Sequence, residues 1–127
     1  MTAETESLYV RAGGTPFFEA LVQRFYEGVA DDPQLRPLYP EADLAPARHR
    51  LTLFLIQYWG GPRTYDEERG HPRLRMRHAP FAIGPLERER WLVHMRAAID
   101  DLGPPSDVAA DLERYIAMAA EAMRNRD

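Results

Sequence analysis

The chain has 127 residues, a formal charge of −4, 45% hydrophobic and 28% charged residues. This is the composition of one globular domain with a core of its own, and it excludes a disordered chain as well as recognition of nucleic acid or an anionic membrane through net positive charge. Cysteine is absent, which excludes disulfides, thiolate nucleophiles and Cys-ligated metal centres, so any metal has to be held by histidine or carboxylate.

Helical periodicity dominates, and proline and glycine punctuate it where helices should start or end. Residues 1–7 read as a loose tail without the basic start and apolar run of a secretion signal, which predicts a cytoplasmic protein with no membrane segment. A short helical piece then ends at Gly13-Gly14, and Thr15 with Pro16 makes a cap and first turn. Phe17, Phe18, Leu21, Val22, Phe25, Tyr26 and Val29 recur at three- and four-residue spacing, so an amphipathic helix should run to about Ala30. Asp32-Pro33 starts a single turn, and Pro37 and Pro40 bracket Leu38 and Tyr39 in a bend. Asp43 opens the next helix, with the stripe Leu44, Ala47, Leu51, Phe54, Leu55 and Tyr58, and Gly60-Gly61-Pro62 ends it. Residues 61–70, GPRTYDEERG, carry no period and read as a loop whose charge run at 66–69 is solvated; loops of that length tend to be functional.

The segment 71–81, HPRLRMRHAPF, follows. Pro72 suits a first helical position and Pro80 stops the helix just after His78. One histidine at the end of an Arg-rich turn, with Leu74 and Met76 near it, fits a flat apolar ligand bearing carboxylates, as an iron porphyrin is. A structural histidine at a helix end is the competing reading. His71 shares a helix face with His78, but no carboxylate or third histidine at ligand spacing completes a two-histidine metal site. Gly84-Pro85 begins a helix with Leu86, Trp91, Leu92, Met95, Ile99 and Leu102 as its apolar positions, broken by Gly103-Pro104-Pro105. Ser106 caps the last helix, whose stripe is Val108, Leu112, Tyr115, Ile116, Ala119 and Met123. The class is all-α, with four principal helices in a single domain over 1–127.

Taken in order, Tyr26, Tyr39, the Gly-Gly pairs, the run YWGGPRTY at 58–65, His78 and Trp91 make the chain resemble the truncated haemoglobins, most of all the group II or O-type branch. The resemblance covers roughly residues 8–123 and departs mainly at the first seven residues and at GPPSD, 103–107. It implies a two-over-two helical sandwich around one haem b, with His78 as the iron ligand. It places Tyr26, Tyr39 and Trp91 on the distal side around the bound gas, with Ala47 and Leu51 on the helix crossing that face. Ala47 stands where many globins carry a distal histidine. The nearest histidine, His49, is two residues on and rotated by about 200°, which points it away from the pocket. Phe54 and Leu51 are expected against the porphyrin, and Tyr65, His71 and Arg77 at its propionates. His94 is expected to be exposed or structurally satisfied.

The function implied is reversible binding of dioxygen, or another diatomic ligand, at ferrous haem, with tight retention through the Trp and Tyr donors and no residue assigned as catalytic. The alternative is a haem enzyme with peroxidase or nitric oxide dioxygenase activity. No Gly-rich nucleotide motif is visible, so its electrons would come from a separate reductase. A homo-oligomer fits the resemblance, although no stripe in the sequence marks an interface.

Overall fold

Glycine and proline set most of the helix boundaries in the structure, a computed structural model that describes residues 6–127. Helix α1 (Leu8–Ala12) is capped by Ser7, whose Oγ accepts from Val10 N at 3.3 Å, and it stops at Gly13 in left-handed backbone. Ser7 thus belongs to a helix start; residues 1–5 of the expected tail lie outside the described residues. Helix α2 (Thr15–Ala30) buries Phe18, Leu21, Val22, Phe25, Tyr26 and Val29, the face read from spacing. A 3₁₀ turn (Arg36–Leu38) leads through Tyr39 to α3 (Ala45–Tyr58) and then α4 (Thr64–Arg69), α5 (Leu74–His78), α6 (Pro85–Leu102) and α7 (Ser106–Met123). There is no strand among the described residues, and no helix in them is long and apolar enough to cross a membrane.

Helices α2, α3, α6 and α7 form the frame. α2 packs on both α3 and α6, and α6 packs on α7, which puts one helical pair over the other in the expected two-over-two sandwich. Phe18, Phe25, Leu35, Met95, Ile99 and Leu112 are almost wholly withdrawn from water. Each contributes about 1.5–3 kcal/mol through that burial. The α2–α6 contact is close because position 28 is glycine: a Cβ there would stand 2.3 Å from His94 Nδ1.

His94 crosses Gly28 to reach a buried carboxylate. The Asp32 side chain is 1% exposed, and it accepts from His94 Nε2 at 2.6 Å, Arg90 Nε at 3.0 Å and Gln34 N at 2.8 Å. His94 is therefore structurally satisfied, as expected. Burial alone would raise the Asp32 pKa, but the bonds from His94, Gln34 N–H and Arg90 outweigh it and hold the group at about 2. An unfolded aspartate titrates at about 3.9, so this carboxylate contributes stability at neutral pH that is lost as pH falls from about 4 toward 2. Asp32→Asn should cost about 1–2 kcal/mol in urea unfolding at pH 7, the difference between charge-assisted and neutral hydrogen bonds. It should also flatten the loss of stability below pH 4; an unchanged acid profile would show that Asp32 is not the titrating group.

Several local expectations change. Residues 61–70 contain α4 and are not wholly irregular. Tyr65 is buried there, and Gln57 of α3 clamps the first turn: Asp66 N donates to Gln57 Oε1 at 3.0 Å and Gln57 Nε2 to Asp66 Oδ1 at 2.9 Å. Such a short helix with one buried side chain has no period to read. Pro72 does not occupy the first position of α5, because Arg73 adopts left-handed backbone at φ 46° and its N–H donates to His71 Nδ1 at 3.2 Å. Asp43 lies just outside α3, its Oδ1 accepting from Ala45 N at 2.9 Å. Neither Thr15 nor Ser106 makes a side-chain cap bond: Thr15 Oγ1 pairs with Tyr9 OH at 2.7 Å, and Ser106 is already helical behind an extended Pro105. Tyr58 and Leu86, assigned to buried stripes from spacing, are exposed in the terminal turns of their helices.

Candidate functional site

His78 closes α5, and its own helix orients it. Nδ1 lies 2.7 Å from Leu74 O, and a carbonyl oxygen only accepts, so Nδ1 carries the proton and Nε2 keeps its lone pair. The chain after it is pinned: Phe81 N donates to His78 O at 3.0 Å, and Asn125 Nδ2 donates to Phe81 O at 2.8 Å. Ile83 N in turn donates to Asn125 Oδ1 at 2.9 Å, which fixes the segment between α5 and α6 against the residues that follow α7.

His78 lines a cavity of about 410 Å³, the size of a cofactor or small-molecule site. Helix α3 contributes Ala47, Leu51, Phe54 and Leu55 to its wall, and α7 contributes Tyr115, Ile116 and Ala119. Leu51 and Phe54 are only half-buried, which is why they stand apart from the closed core. The remaining wall includes Tyr26 from α2, Tyr39 from the bend, and Trp91 and Met95 from α6. The structure thus gathers Tyr26, Tyr39, Ala47, Leu51, Phe54, Tyr65, Arg77, His78 and Trp91 around one apolar space.

The three donor-bearing rings are a single packed set. Tyr26 and Tyr39 meet edge-on with centroids 5.6 Å apart, and Phe25 lies 4.9 Å from Tyr26 and 5.4 Å from Trp91. Phe25 reads from sequence as ordinary core, and nothing in its spacing marks it as the link. Burial, reinforced by Tyr39, pushes the Tyr26 phenol well up; burial raises Tyr39 too, partly offset by its hydrogen bond with Tyr26. Both phenols therefore keep their protons at neutral pH and are available as donors. Ala47 is buried in the wall and has nothing to donate. His49 is exposed and pairs with Glu68 at 3.0 Å, away from the cavity.

Partly exposed charged side chains mark the mouth. Arg77 is among them, but its Nε donates to Pro72 O at 2.7 Å and its Nη2 to Arg69 O at 3.2 Å, so part of the guanidinium holds the turn before α5. Tyr65 is buried edge-on against Phe54 at 5.8 Å. His71, expected at the same rim, is exposed and does not line the cavity, because its ring faces its own turn and bonds Arg73 N. Arg50, Arg69 and Arg88 also reach the mouth and were not expected there. The signal for Arg50 was available: it lies three residues after Ala47 and four before Phe54, on one helix face. It is held by Glu41 at 3.2 Å.

The model of the bacterial-like globin family matches residues 7–125. The curated protein Group 2 truncated hemoglobin YjbI of Bacillus subtilis is 39% identical over 113 residues, covering 89% of this chain and 85% of that one. Among solved structures, a thermostable hemoglobin from the actinobacterium Thermobifida fusca is 61% identical with a TM-score of 0.93, over 94% of this chain and 98% of its own. A truncated oxygen-avid haemoglobin from Bacillus subtilis is 37% identical with a TM-score of 0.89, over 94% of this chain and all of its own (100%).

Proposed function

We propose, since the chain belongs to the bacterial-like globin family and is a group II truncated haemoglobin, that its cavity takes haem b with His78 Nε2 as the iron ligand and that the protein binds dioxygen reversibly and retains it tightly. The observation that carries this reading is the His78 imidazole in the wall of an apolar cavity, set by the Leu74 carbonyl in the tautomer whose Nε2 is the unprotonated nitrogen of the neutral ring. Haem b supplies the ferrous iron at which a diatomic gas binds. The chain supplies the rest: Leu51, Phe54, Ile116 and Ala119 exclude water from a flat apolar group, and Tyr26, Tyr39 and Trp91 donate hydrogen bonds to the polar gas. Retention by these donors agrees with the oxygen-avid character of the Bacillus subtilis relative. Tight holding suits chemistry on the ligand or sensing better than bulk delivery, and peroxide or nitric oxide turnover with a separate reductase is the second reading.

Protein reconstituted with haem should show a Soret band and a five-coordinate ferrous spectrum that changes on oxygenation; absence of the band would overturn the proposal. Arg77 and Tyr65 are the propionate partners in this reading. Because Arg77 is partly exposed and already bonded to backbone, Arg77→Ala should weaken haem retention by no more than about 1 kcal/mol, roughly fivefold in transfer to an acceptor protein. Oxygen dissociation should not change. Strongly accelerated oxygen release with unaltered haem transfer would remove Arg77 from the propionates.

A further inference from the structure

Tyr39 reaches the cavity from the bend between α2 and α3, where no helix orients it: its backbone is extended, at φ −99° and ψ 106°. Among the described residues, 40–43 make no backbone–backbone hydrogen bond, so the segment that follows Tyr39 lacks the usual source of rigidity. Arg36 supplies it. Its Nη1 donates to Tyr39 O at 2.9 Å, and its Nη2 donates to Glu41 O at 2.8 Å and to Ala42 O at 2.9 Å. The Glu41 carboxylate pairs with Arg50 at 3.2 Å, which leaves Arg36 to the carbonyls. Arg36 is itself fixed, because its N–H donates to Asp32 O at 2.9 Å and the Asp32 carboxylate is held by Arg90 and His94 of α6, on either side of Trp91 in the chain. We propose that Arg36 is a positioning residue for gas binding: by holding the carbonyls of Tyr39, Glu41 and Ala42 in one planar fork, it sets the Tyr39 hydroxyl where it meets the bound gas.

The proposal rests on the haem reading above. A guanidinium spreads its N–H donors over a plane, so one side chain can take three carbonyls that converge on it, and its charge strengthens each bond. A lysine ammonium carries all its donors on one nitrogen and cannot span the same set. The Tyr39 and Glu41 backbone is half-buried and Ala42 is exposed, so water can replace Arg36 at these carbonyls and none is left buried without a partner. Removing Arg36 therefore frees the bend without opening the core, to which Leu35 and Leu44 still anchor it on either side. The orientation of the Tyr39 phenol is what changes. Tyr26 and Trp91 sit on α2 and α6 and keep their places, so the effect is confined to the share of gas retention that Tyr39 carries.

The test compares the haem-loaded wild type, its Soret band verified, with Arg36→Ala, Tyr39→Phe and the double variant. Two readouts are the infrared C–O stretch of bound carbon monoxide, which responds to donors beside it, and oxygen dissociation by stopped flow. Arg36→Ala should keep the Soret band and the helical circular dichroism, move the C–O band toward its position in Tyr39→Phe, and release oxygen roughly two- to fivefold faster, as for one hydrogen bond that a neighbour partly replaces. With Phe at position 39, the same Arg36→Ala change should alter neither readout. A glutamate-specific protease should cut Arg36→Ala after Glu41 several-fold faster than the wild type, because the freed bend fits a protease cleft. Arg36→Lys, which keeps part of the bonding but not the fork, should fall between the two in all three measurements. An Arg36→Ala band and oxygen rate equal to those of the wild type, or changes just as large when residue 39 is Phe, would overturn the proposal; if Arg36→Ala does not fold, Arg36→Lys decides it by the same comparison. Absence of the Soret band from the wild type would instead overturn the haem reading.

Discussion

His78→Ala is expected to abolish the five-coordinate ferrous haem spectrum while leaving the helical circular dichroism intact. The side chain caps a short helix at the cavity and supports no part of the closed core, so its removal deletes a ligand and not a packing element. No other histidine can replace it. His49 faces solvent with Glu68, His71 is turned into its own loop against Arg73 N, and His94 is held by Asp32 on the far side of Gly28. The deletion leaves a space shaped for an imidazole ring, and the Leu74 carbonyl remains to orient an incoming one, so added free imidazole should restore the spectrum in a saturable way. Haem retained by its apolar contacts alone would carry an exogenous or no axial ligand and a different spectrum. An unchanged ferrous spectrum without added imidazole would remove His78 as the ligand.

The long helices were legible because each buries one broad stripe. Six of the seven apolar positions read in the stripe from Phe17 to Val29 are buried in α2, and four of the six read in the last helix are buried in α7. The short elements were not legible. α4 exists because Gln57 clamps Asp66 and Tyr65 is buried, two tertiary facts that a polar ten-residue run does not display. Arg73 reads as an ordinary helical residue, and only the bond between its N–H and His71 shows why α5 starts two residues late. At the cavity, Tyr26, Leu51 and Phe54 lie on apolar helix stripes that spacing marked, the family resemblance pointed to them as site residues, and they line it. The rim was less legible, since long arginine side chains reach several ångströms from their backbone and choose partners by what the fold brings near. Arg88 was overlooked for that reason, whereas His71 failed because its ring turns into its own loop and bonds Arg73 N. Exposure of Tyr58 was hidden because spacing alone cannot tell the last turn of a buried stripe from one that projects beyond its neighbours.

Trp91→Phe is expected to raise oxygen dissociation more than any other single change at the cavity wall. The substitution keeps an aromatic ring against Phe25 and removes only the indole N–H. Oxygen held in the cavity carries partial negative charge on its outer atom, and a hydrogen bond to a charged group is worth roughly 1.5–3 kcal/mol, which corresponds to about tenfold to hundredfold faster release. Ala47 has no donor to substitute for it, and the only other donors packed into the same aromatic set are Tyr26 and Tyr39. Those two phenols meet edge-on and are coupled to each other, so Tyr39→Phe leaves Tyr26 free to turn its hydroxyl to the ligand and should have the smaller effect. The Trp91→Phe/Tyr39→Phe double variant then tests whether the donors act as one network. A combined loss different from the sum of the single losses indicates shared bonds, whereas strict additivity indicates independent ones. Carbon monoxide is less polar when bound and gains little from any of these donors, so its dissociation should hardly move in the same variants. Equal acceleration of oxygen and carbon monoxide throughout the series would mean that the rings act by bulk alone, and the hydrogen-bonding cage would have to be abandoned.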